Sequence, residues 1–429
     1  MTQDLDLRIP VLGPAAFDSP LGLSTVAGDN IADYTADDAC VVLDLGGKTL
    51  GPVFERAGAR AKLFFDGSRV TAGIVSCGGL CPGMNNVIRA LVLQLRHTYG
   101  VRRVLGFRYG FLGLTPGGPA PLELTPDCVD EIHLQGGTIL GSSRGPQPPA
   151  VMVDTLERLK VDVLFCIGGD GTLRGAVALS DELRKRGRPI AIVGVPKTID
   201  NDVPFIERTF GFETAVAEAT RAITAAHVEA CGAPNGVGIV RLMGRNSGFI
   251  AASATLASGE ADLCLVPELP FHLDGPRGVL AFLRARLRER GHAVVVAAEG
   301  AGQELVEAGA AKDASGNAKL GDIGTFLRDA VARGLGDLDV NVKYIDPSYI
   351  VRAAAANPAD AIFCGRLAEN AVHAAMAGKT AMVVGLWGGL FTHVPLAAAT
   401  SGRNVISTDS AFWRSVVEST GQPSLLANS

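Results

Sequence analysis

The sequence predicts an α/β protein in which parallel strands are covered on both faces by helices, arranged in two domains. Short, near-continuous apolar runs end in glycine-rich turns. Amphipathic helical stretches follow those turns, the pattern of a sheet buried on both sides. The chain has 429 residues, more than one ordinary core accommodates and enough for two.

Residues 1 to about 68 mix Gly, Pro and Asp with short apolar stretches and read as an irregular arm without chemistry of its own. From Val70, VTAGIVS reads as a strand, CGGLCPG as a turn and NNVIRALVLQLRHTYG as a helix. Val87, Ile88, Leu91 and Leu95 share one face of that helix, and Gly100 terminates it. A second unit runs from VDVLFCI (161–167) through GGDGT into a helix carrying Ala176, Leu179 and Leu183 up to Gly187. A third is PIAIVGV (189–195), followed by PKTIDND. Further strands are expected at GVGIVRLM (236–243), HAVVVAAE (292–299) and AMVVGLW (381–387). Asn357 and Pro358 mark the start of a long helix, with Asn as N-cap and Pro at the first helical position.

Composition narrows the function classes. Apolar residues are 47% of the chain and charged residues 19%, which argues for a packed core and against disorder. The formal net charge of −5 gives no broad surface for nucleic acid or anionic membrane, so an anionic substrate must be held by local basic groups. The N-terminal MTQDLDLRIP is acidic and broken by Pro10, unlike a signal peptide, and no run of about 18 apolar residues suggests a membrane span. The eight cysteines read as reduced cytosolic thiols, and the seven scattered histidines show no metal-ligand pattern such as HExxH.

The chemistry concentrates at the carboxyl ends of the expected strands, where parallel α/β sheets bind ligands. CGGLCPGMN follows a strand and opens a helix. Its glycines, Gly79 above all, allow a backbone to approach a phosphate at a helix N-terminus, although a bare strand-to-helix turn has the same pattern. GGDGT (Gly168, Gly169, Asp170, Gly171, Thr172) places one carboxylate in a glycine turn. Asp170 there either holds Mg2+ against a polyphosphate or caps the following helix. PKTIDND clusters Thr198, Asp200 and Asp202. In an extended segment two carboxylates two residues apart project to one side, so one can serve as base and the other as support. MGRNSG contributes Arg245, and GGTILGSSRG (136–145) contributes Arg144. Two arginines are thus expected in glycine turns of one sheet edge, fit to neutralise phosphoryl charge.

Together these segments resemble the phosphofructokinase family. The resemblance runs from about Leu63 to about Ile406, through CGGLCPGMN, FRYGFLGL, GGTILGSSRG, IGGDGT, PKTIDND, LMGRNSG, AAEG and DPSYIVR in that order. FERAGARAKLFF and DPSYIVR are most similar to the branch holding plant-type and trypanosomal enzymes and many pyrophosphate-using relatives. The resemblance implies two Rossmann-like three-layer domains with the active site in the cleft between them. Residues 70–211 with 352–407 are expected to form the larger, donor-binding domain, and 212–351 the smaller, sugar-phosphate-binding one. Residues 1–69 are an arm and 408–429 a tail in this division.

The resemblance also implies roles. Asp200 matches the base that takes the C1 hydroxyl proton of fructose 6-phosphate, with Thr198 and Ile199 as substrate contacts beside it. Gly79, Arg144 and Gly168 to Thr172 match the cradle for the ATP phosphates, with Asp170 on Mg2+. Met243, Gly244 and Arg245 line the sugar site, and Glu299 binds sugar hydroxyls. Tyr349, Ile350, Val351 and Arg352 belong to the grip on the 6-phosphate, joined by Lys343 from a neighbouring subunit. A cytoplasmic homodimer or homotetramer is implied, with no nucleic-acid or membrane partner. Two positions depart from the short bacterial pattern. Gly236 stands where an arginine reaches across subunits, Arg241 being an odd step away, and Lys343 replaces an arginine without offering its bidentate fork.

Donor choice turns on Gly171 and Lys197. Pyrophosphate-dependent relatives read GGDD with PKTIDND, and most bacterial ATP enzymes read GGDG with PGTIDND. An aspartate at 171 would oppose the α-phosphate of ATP, whereas Lys197 can touch a β-phosphate of either donor. ATP is therefore the expected donor and pyrophosphate the alternative. A silent sugar-phosphate sensor is disfavoured by the presence of Asp170, Asp200 and Asp202, and a dinucleotide oxidoreductase by the lack of a strand-associated GxGxxG.

Overall fold

A computed structural model describes residues 6–26, 28–44, 51–306 and 319–426. The chain divides into two compact units. The first holds residues 1–198, 203–211 and 355–403, and the second holds 199–202, 212–354 and 404–429.

The first unit is built on a nine-stranded sheet. Its middle is parallel: Met382–Trp387, Ala191–Pro196, Val163–Gly168, Thr71–Ser76 and Arg103–Phe107 lie side by side in that order. Thr71–Ser76, Val163–Gly168 and Ala191–Pro196 are buried at every residue, which is why they read as unbroken apolar runs rather than alternating ones. Helices Met84–Leu93, Pro149–Arg158, Asp170–Arg186 and Pro358–Met376 belong to this unit. Helix Asp170–Arg186 ends at Gly187, whose φ of 63° is left-handed, and its last turn carries Arg184, Lys185 and Arg186, which suit the negative helix end. The Asn357 side chain accepts from the Asp360 N–H at 2.9 Å, the cap expected from Asn-Pro.

The segment expected to be an irregular arm differs. Cys40–Val42 pairs antiparallel with Val53–Arg56, and Val53–Arg56 pairs with Leu390–Pro395, so the arm extends the main sheet at one margin. The partner strand lies more than 300 residues away in the chain, and no local pattern announces it. A buried ionic cluster fastens the join. Glu55 Oε1 accepts from Arg60 Nη2 and lies 2.9 Å from both that atom and Lys379 Nζ, with His393 Nδ1 at 3.1 Å.

The second unit holds a four-stranded, wholly parallel sheet in the order Leu263–Leu265, His292–Ala298, Gly236–Leu242, Asn341–Ile345. Helices Val279–Arg290 and Ile323–Gly334 supply Val279, Leu283, Leu287, Leu327 and Val331 to a core with Val237, Ile239 and Val295. The expected tail is also structured: Ala411–Thr420 is a helix capped by Ser410, and it belongs to this unit. Among the described residues no helix is long and apolar enough to cross a membrane.

The Glu55 cluster sets an acid limit on the fold. Burial alone would raise the Glu55 carboxyl, but its bonds and charges with His393 and Lys379 outweigh burial and hold it at about 2. Burial lowers His393 against the pull of Glu55, so at neutral pH the charge partners of Glu55 are Lys379 and Arg60. A depressed carboxyl stabilises above its ordinary value of 4.5 and loses that contribution as pH falls toward 2. Glu55→Gln leaves two cations buried without their carboxylate and should cost about 3 kcal/mol at pH 7, read by urea unfolding. The gap from wild type should close between pH about 4.5 and 2; a gap independent of pH would remove the charge from the account.

Candidate functional site

In the first unit three strands bring their loops to one edge. Ile167 stands opposite Ser76, and Gly168 opposite Pro196, in parallel register. CGGLCPGMN, GGDGT and PKT therefore leave the sheet side by side. Lys197 is buried and its Nζ donates to the Gly79 carbonyl at 2.9 Å, tying the third loop to the first. The lysine expected to touch a donor phosphate thus also bonds the glycine loop.

The glycines of this edge are demanded by crowding or by open space. A Cβ on Gly168 would sit 2.0 Å from Thr172 Oγ1, and one on Gly169 would sit 3.0 Å from the Lys197 carbonyl. Gly171 is different: a Cβ there meets nothing within 4 Å, and its backbone is not left-handed. The position tolerates a side chain, and the space beside it is open.

Asp170 begins helix Asp170–Arg186, whose N-cap is Gly169, so Asp170 is not the cap. Its part-exposed carboxylate accepts from Arg174 Nε at 2.9 Å, and Arg403 Nη2 lies 3.8 Å away. One hard carboxylate beside open glycine backbone fits Mg2+, which takes one or two carboxylates and fills its remaining positions with phosphate oxygens and water. The two flanking guanidiniums suit those phosphates and went unremarked in the sequence, although Arg174 stands one helical turn from Asp170.

Residues 136–145 are held against the same edge. Asn85 is buried, accepts from the Ile139 N–H at 2.9 Å and donates to the Gln135 carbonyl at 3.1 Å. The Gly78 N–H donates to the Ser143 carbonyl at 3.1 Å, and Ser142 Oγ returns a bond to the Gly78 carbonyl. Arg144 stands exposed at the end of this anchored stretch. Asn85 is the positioning residue that the sequence did not disclose, its partners being some 50 residues further on.

PKTIDND is shared between the units, Pro196 to Thr198 with the first and Ile199 to Asp202 with the second. The Thr198 carbonyl accepts from Thr209 Oγ1 at 2.6 Å. Asp200 is not in an extended segment. It lies in a turn, and Asn201 follows with φ 54°, so the two carboxylates do not project to one side by simple alternation. Asparagine tolerates that left-handed backbone because its short amide bonds locally.

In the second unit the ends of two parallel strands meet. Leu242 stands opposite Ala298, the Glu299 N–H donates to the Leu242 carbonyl at 2.8 Å, and Gly300 N–H donates to the Gly244 carbonyl at 3.1 Å. Met243, Gly244, Arg245 and Glu299 are thereby brought together. Gly244 has φ 122°, and a Cβ on Gly300 would lie 1.9 Å from the Arg245 carbonyl. Arg245 follows a strand of the four-stranded sheet, whereas Arg144 belongs to the unit with the nine-stranded one, so the two arginines do not share a sheet edge as expected. Ser247 Oγ donates to the Asp200 carbonyl at 3.1 Å, and Arg352 Nε contacts Met243 Sδ at 3.4 Å.

Arg241 Nη2 holds Glu299 Oε2 at 2.9 Å and Nη1 bonds Asp346. Burial works against the charge of Arg241, but Asp346 and Glu299 outweigh it and raise its pKa. At Gly236 a Cβ would meet the Ala230 carbonyl at 2.1 Å, which leaves no room there for an arginine. Lys343 lies exposed on the edge strand, and Tyr349 and Ile350 are exposed at 89% and 68%, so a surface rather than a pocket surrounds them in this chain. Val351 is buried.

Comparison with known proteins places these features in company. The family model described as Phosphofructokinase matches residues 71–375. The chain is 50% identical to the ATP-dependent 6-phosphofructokinase of Amycolatopsis methanolica, over 97% of this chain and 95% of that one. It is 44% identical to the ATP-dependent 6-phosphofructokinase of Borreliella burgdorferi, over 99% of each. A solved pyrophosphate-dependent phosphofructokinase from Marinobacter aquaeolei shares the fold with a TM-score of 0.69 at 22% identity, covering 82% of this chain and 91% of its own.

Removing the Asn85 amide tests the anchoring. Asn85→Ala leaves the Ile139 N–H and Gln135 carbonyl without their partner, a loss of about 1–3 kcal/mol that falls on one segment. Amides of residues 137–143 should exchange with deuterium at least about tenfold faster. Unchanged exchange would show that Asn85 does not hold the segment.

Proposed function

The chain belongs to the phosphofructokinase family, and from that footing we propose that it is an ATP-dependent 6-phosphofructokinase that phosphorylates fructose 6-phosphate at its C1 hydroxyl. The observation that carries the reading is the side-by-side exit of CGGLCPGMN, GGDGT and PKT from neighbouring parallel strands. Such an edge offers backbone N–H donors and a helix N-terminus to phosphates.

In this reading Gly79, Gly168, Gly169, Gly171, Thr172 and Arg144 cradle the donor. Asp170 is the residue that would hold Mg2+. When bound, Mg2+ neutralises charge on the donor phosphates. Arg174 and Arg403 add cationic groups beside Asp170. On the acceptor side Met243, Gly244, Arg245 and Glu299 receive the sugar, and Arg241 keeps Glu299 oriented. Tyr349 to Arg352 and Lys343 serve the 6-phosphate. The exposure of Lys343 and Tyr349 favours a neighbouring copy as part of that grip, in keeping with a homodimer or homotetramer.

The chemical step balances as follows. The C1 oxygen bonds to the γ-phosphorus of ATP, the bond from that phosphorus to the bridging oxygen breaks, and ADP leaves with the electron pair. Asp200 takes the hydroxyl proton. Thr198 and Arg245 orient the groups in line and stabilise the charge of the transferring phosphoryl. Gly171 supports ATP, because its open neighbourhood leaves room for a nucleotide to continue past the β-phosphate. Lys197 can touch a β-phosphate of either donor and so does not argue for pyrophosphate. The cytoplasm is the proposed location.

Asp200→Asn tests the assignment. Turnover of fructose 6-phosphate with Mg-ATP should fall by roughly 10²–10⁴-fold in kcat, the range for a lost general base, with KM for the sugar phosphate little changed. A variant that keeps wild-type kcat would take Asp200 out of the mechanism.

A further inference from the structure

A second group of ligating side chains stands in the four-stranded unit, at the end of the strands opposite to Glu299. His227 and Cys231 are one turn apart on helix Phe212–Cys231, so they share a face. His292 opens the strand His292–Ala298 beside them. Cys231 Sγ lies 3.5 Å from His227 Nε2, and the two imidazoles meet edge to face with centroids 5.2 Å apart. One ligand atom from each of the three side chains falls within 4.8 Å of the others.

We propose that His227, Cys231 and His292 form a binding site for a borderline divalent cation, Zn2+ before all others. The donor set selects it: two imidazoles and a thiolate suit Zn2+, whereas hard cations prefer carboxylate and carbonyl oxygens. The spacing agrees. Bond lengths of about 2.3 Å to sulfur and about 2.0–2.1 Å to nitrogen, set tetrahedrally, separate N and S by about 3.6 Å. The His292 Nδ1 lies 3.1 Å from the Arg290 carbonyl, to which its N–H donates, leaving the Nε2 lone pair for a metal. His227 Nδ1 is buried without a hydrogen-bond partner, and the Nε2 of the same ring faces Cys231 Sγ. Cys231 is the last residue of a 20-residue helix with no basic side chain in its last turn, and the negative helix end favours a cation. The Arg290 guanidinium is turned to Asp262 Oδ1 at 3.4 Å.

Binding forms a sulfur–zinc bond and releases the thiol proton to solvent. Water fills the fourth position. His292 opens a strand of seven residues and Glu299 follows its end, a span of about 23 Å, so the cation takes no part in the chemistry at Glu299. It clasps the helix end to the start of a central strand and stabilises the unit.

The full chain is titrated with Co2+ and then Zn2+. One equivalent of Co2+ should give the near-ultraviolet thiolate-to-cobalt charge-transfer band, Zn2+ should displace it, and saturating Zn2+ should raise the melting temperature. Cys231→Ala should abolish the band, and His292→Gln should weaken Zn2+ binding by at least about tenfold. Both metal-free variants should keep wild-type circular dichroism and wild-type turnover of fructose 6-phosphate. Absence of the band in wild type, or a band that survives Cys231→Ala, overturns the proposal. So does Zn2+ affinity that is unchanged by His292→Gln.

Discussion

Gly168 lies opposite Pro196 and Ile167 opposite Ser76, and this parallel register sends three glycine-rich loops out of one sheet edge. Everything on the proposed donor side depends on that pairing. The three strands are buried throughout, so both faces of this part of the sheet belong to the core. With the register set, the loops crowd one another to the point where Gly168 admits no side chain. Lys197 then links the third loop to the first through the Gly79 carbonyl. Asn85 adds the remaining stretch, 135–145, by two bonds to its backbone. Backbone groups are thus fixed before any ligand arrives, the condition under which they bind charge without reorganisation.

Charge is managed locally. A chain of net charge −5 attracts no anion through its overall field. Around Asp170 the balance is reversed by Arg174 and Arg403, and Arg144 stands exposed on the anchored stretch. In the second unit Arg241 is spent on Glu299 and Asp346, which fixes the Glu299 carboxylate in place at the strand end. The same arrangement explains why Arg241 is no substitute for the arginine that Gly236 lacks.

Much of the site was legible because it is local. The strand–glycine–helix units, the cap at Asn357 and the order of the motifs lie in consecutive residues, and the structure returns them within a residue or two. What escaped is non-local or conformational. The strands Cys40–Val42 and Val53–Arg56 gain their meaning from Leu390–Pro395. Asn85 acts on carbonyl and amide groups far along the chain. The bond from Lys197 to the Gly79 carbonyl joins residues more than 100 positions apart. Asp200 and Asp202 alternate on paper, but the left-handed Asn201 between them breaks the alternation. Arg144 and Arg245 sit in similar glycine-rich sequences, and only the fold assigns them to different units.

The central claim is that open space at Gly171 admits a nucleotide, and donor choice tests it most directly. Turnover of fructose 6-phosphate is measured with Mg-ATP and with Mg-pyrophosphate, for wild type and for Gly171→Asp. The position has room for the new side chain, and an acidic residue in a first helical turn is favourable, so the variant should fold. Wild type should use ATP with little or no pyrophosphate activity. Gly171→Asp should lose roughly two to three orders of magnitude in kcat/KM for ATP, equivalent to about 3–4 kcal/mol of repulsion at the α-phosphate. A wild type that prefers pyrophosphate, or a variant that keeps its ATP activity, would contradict the account.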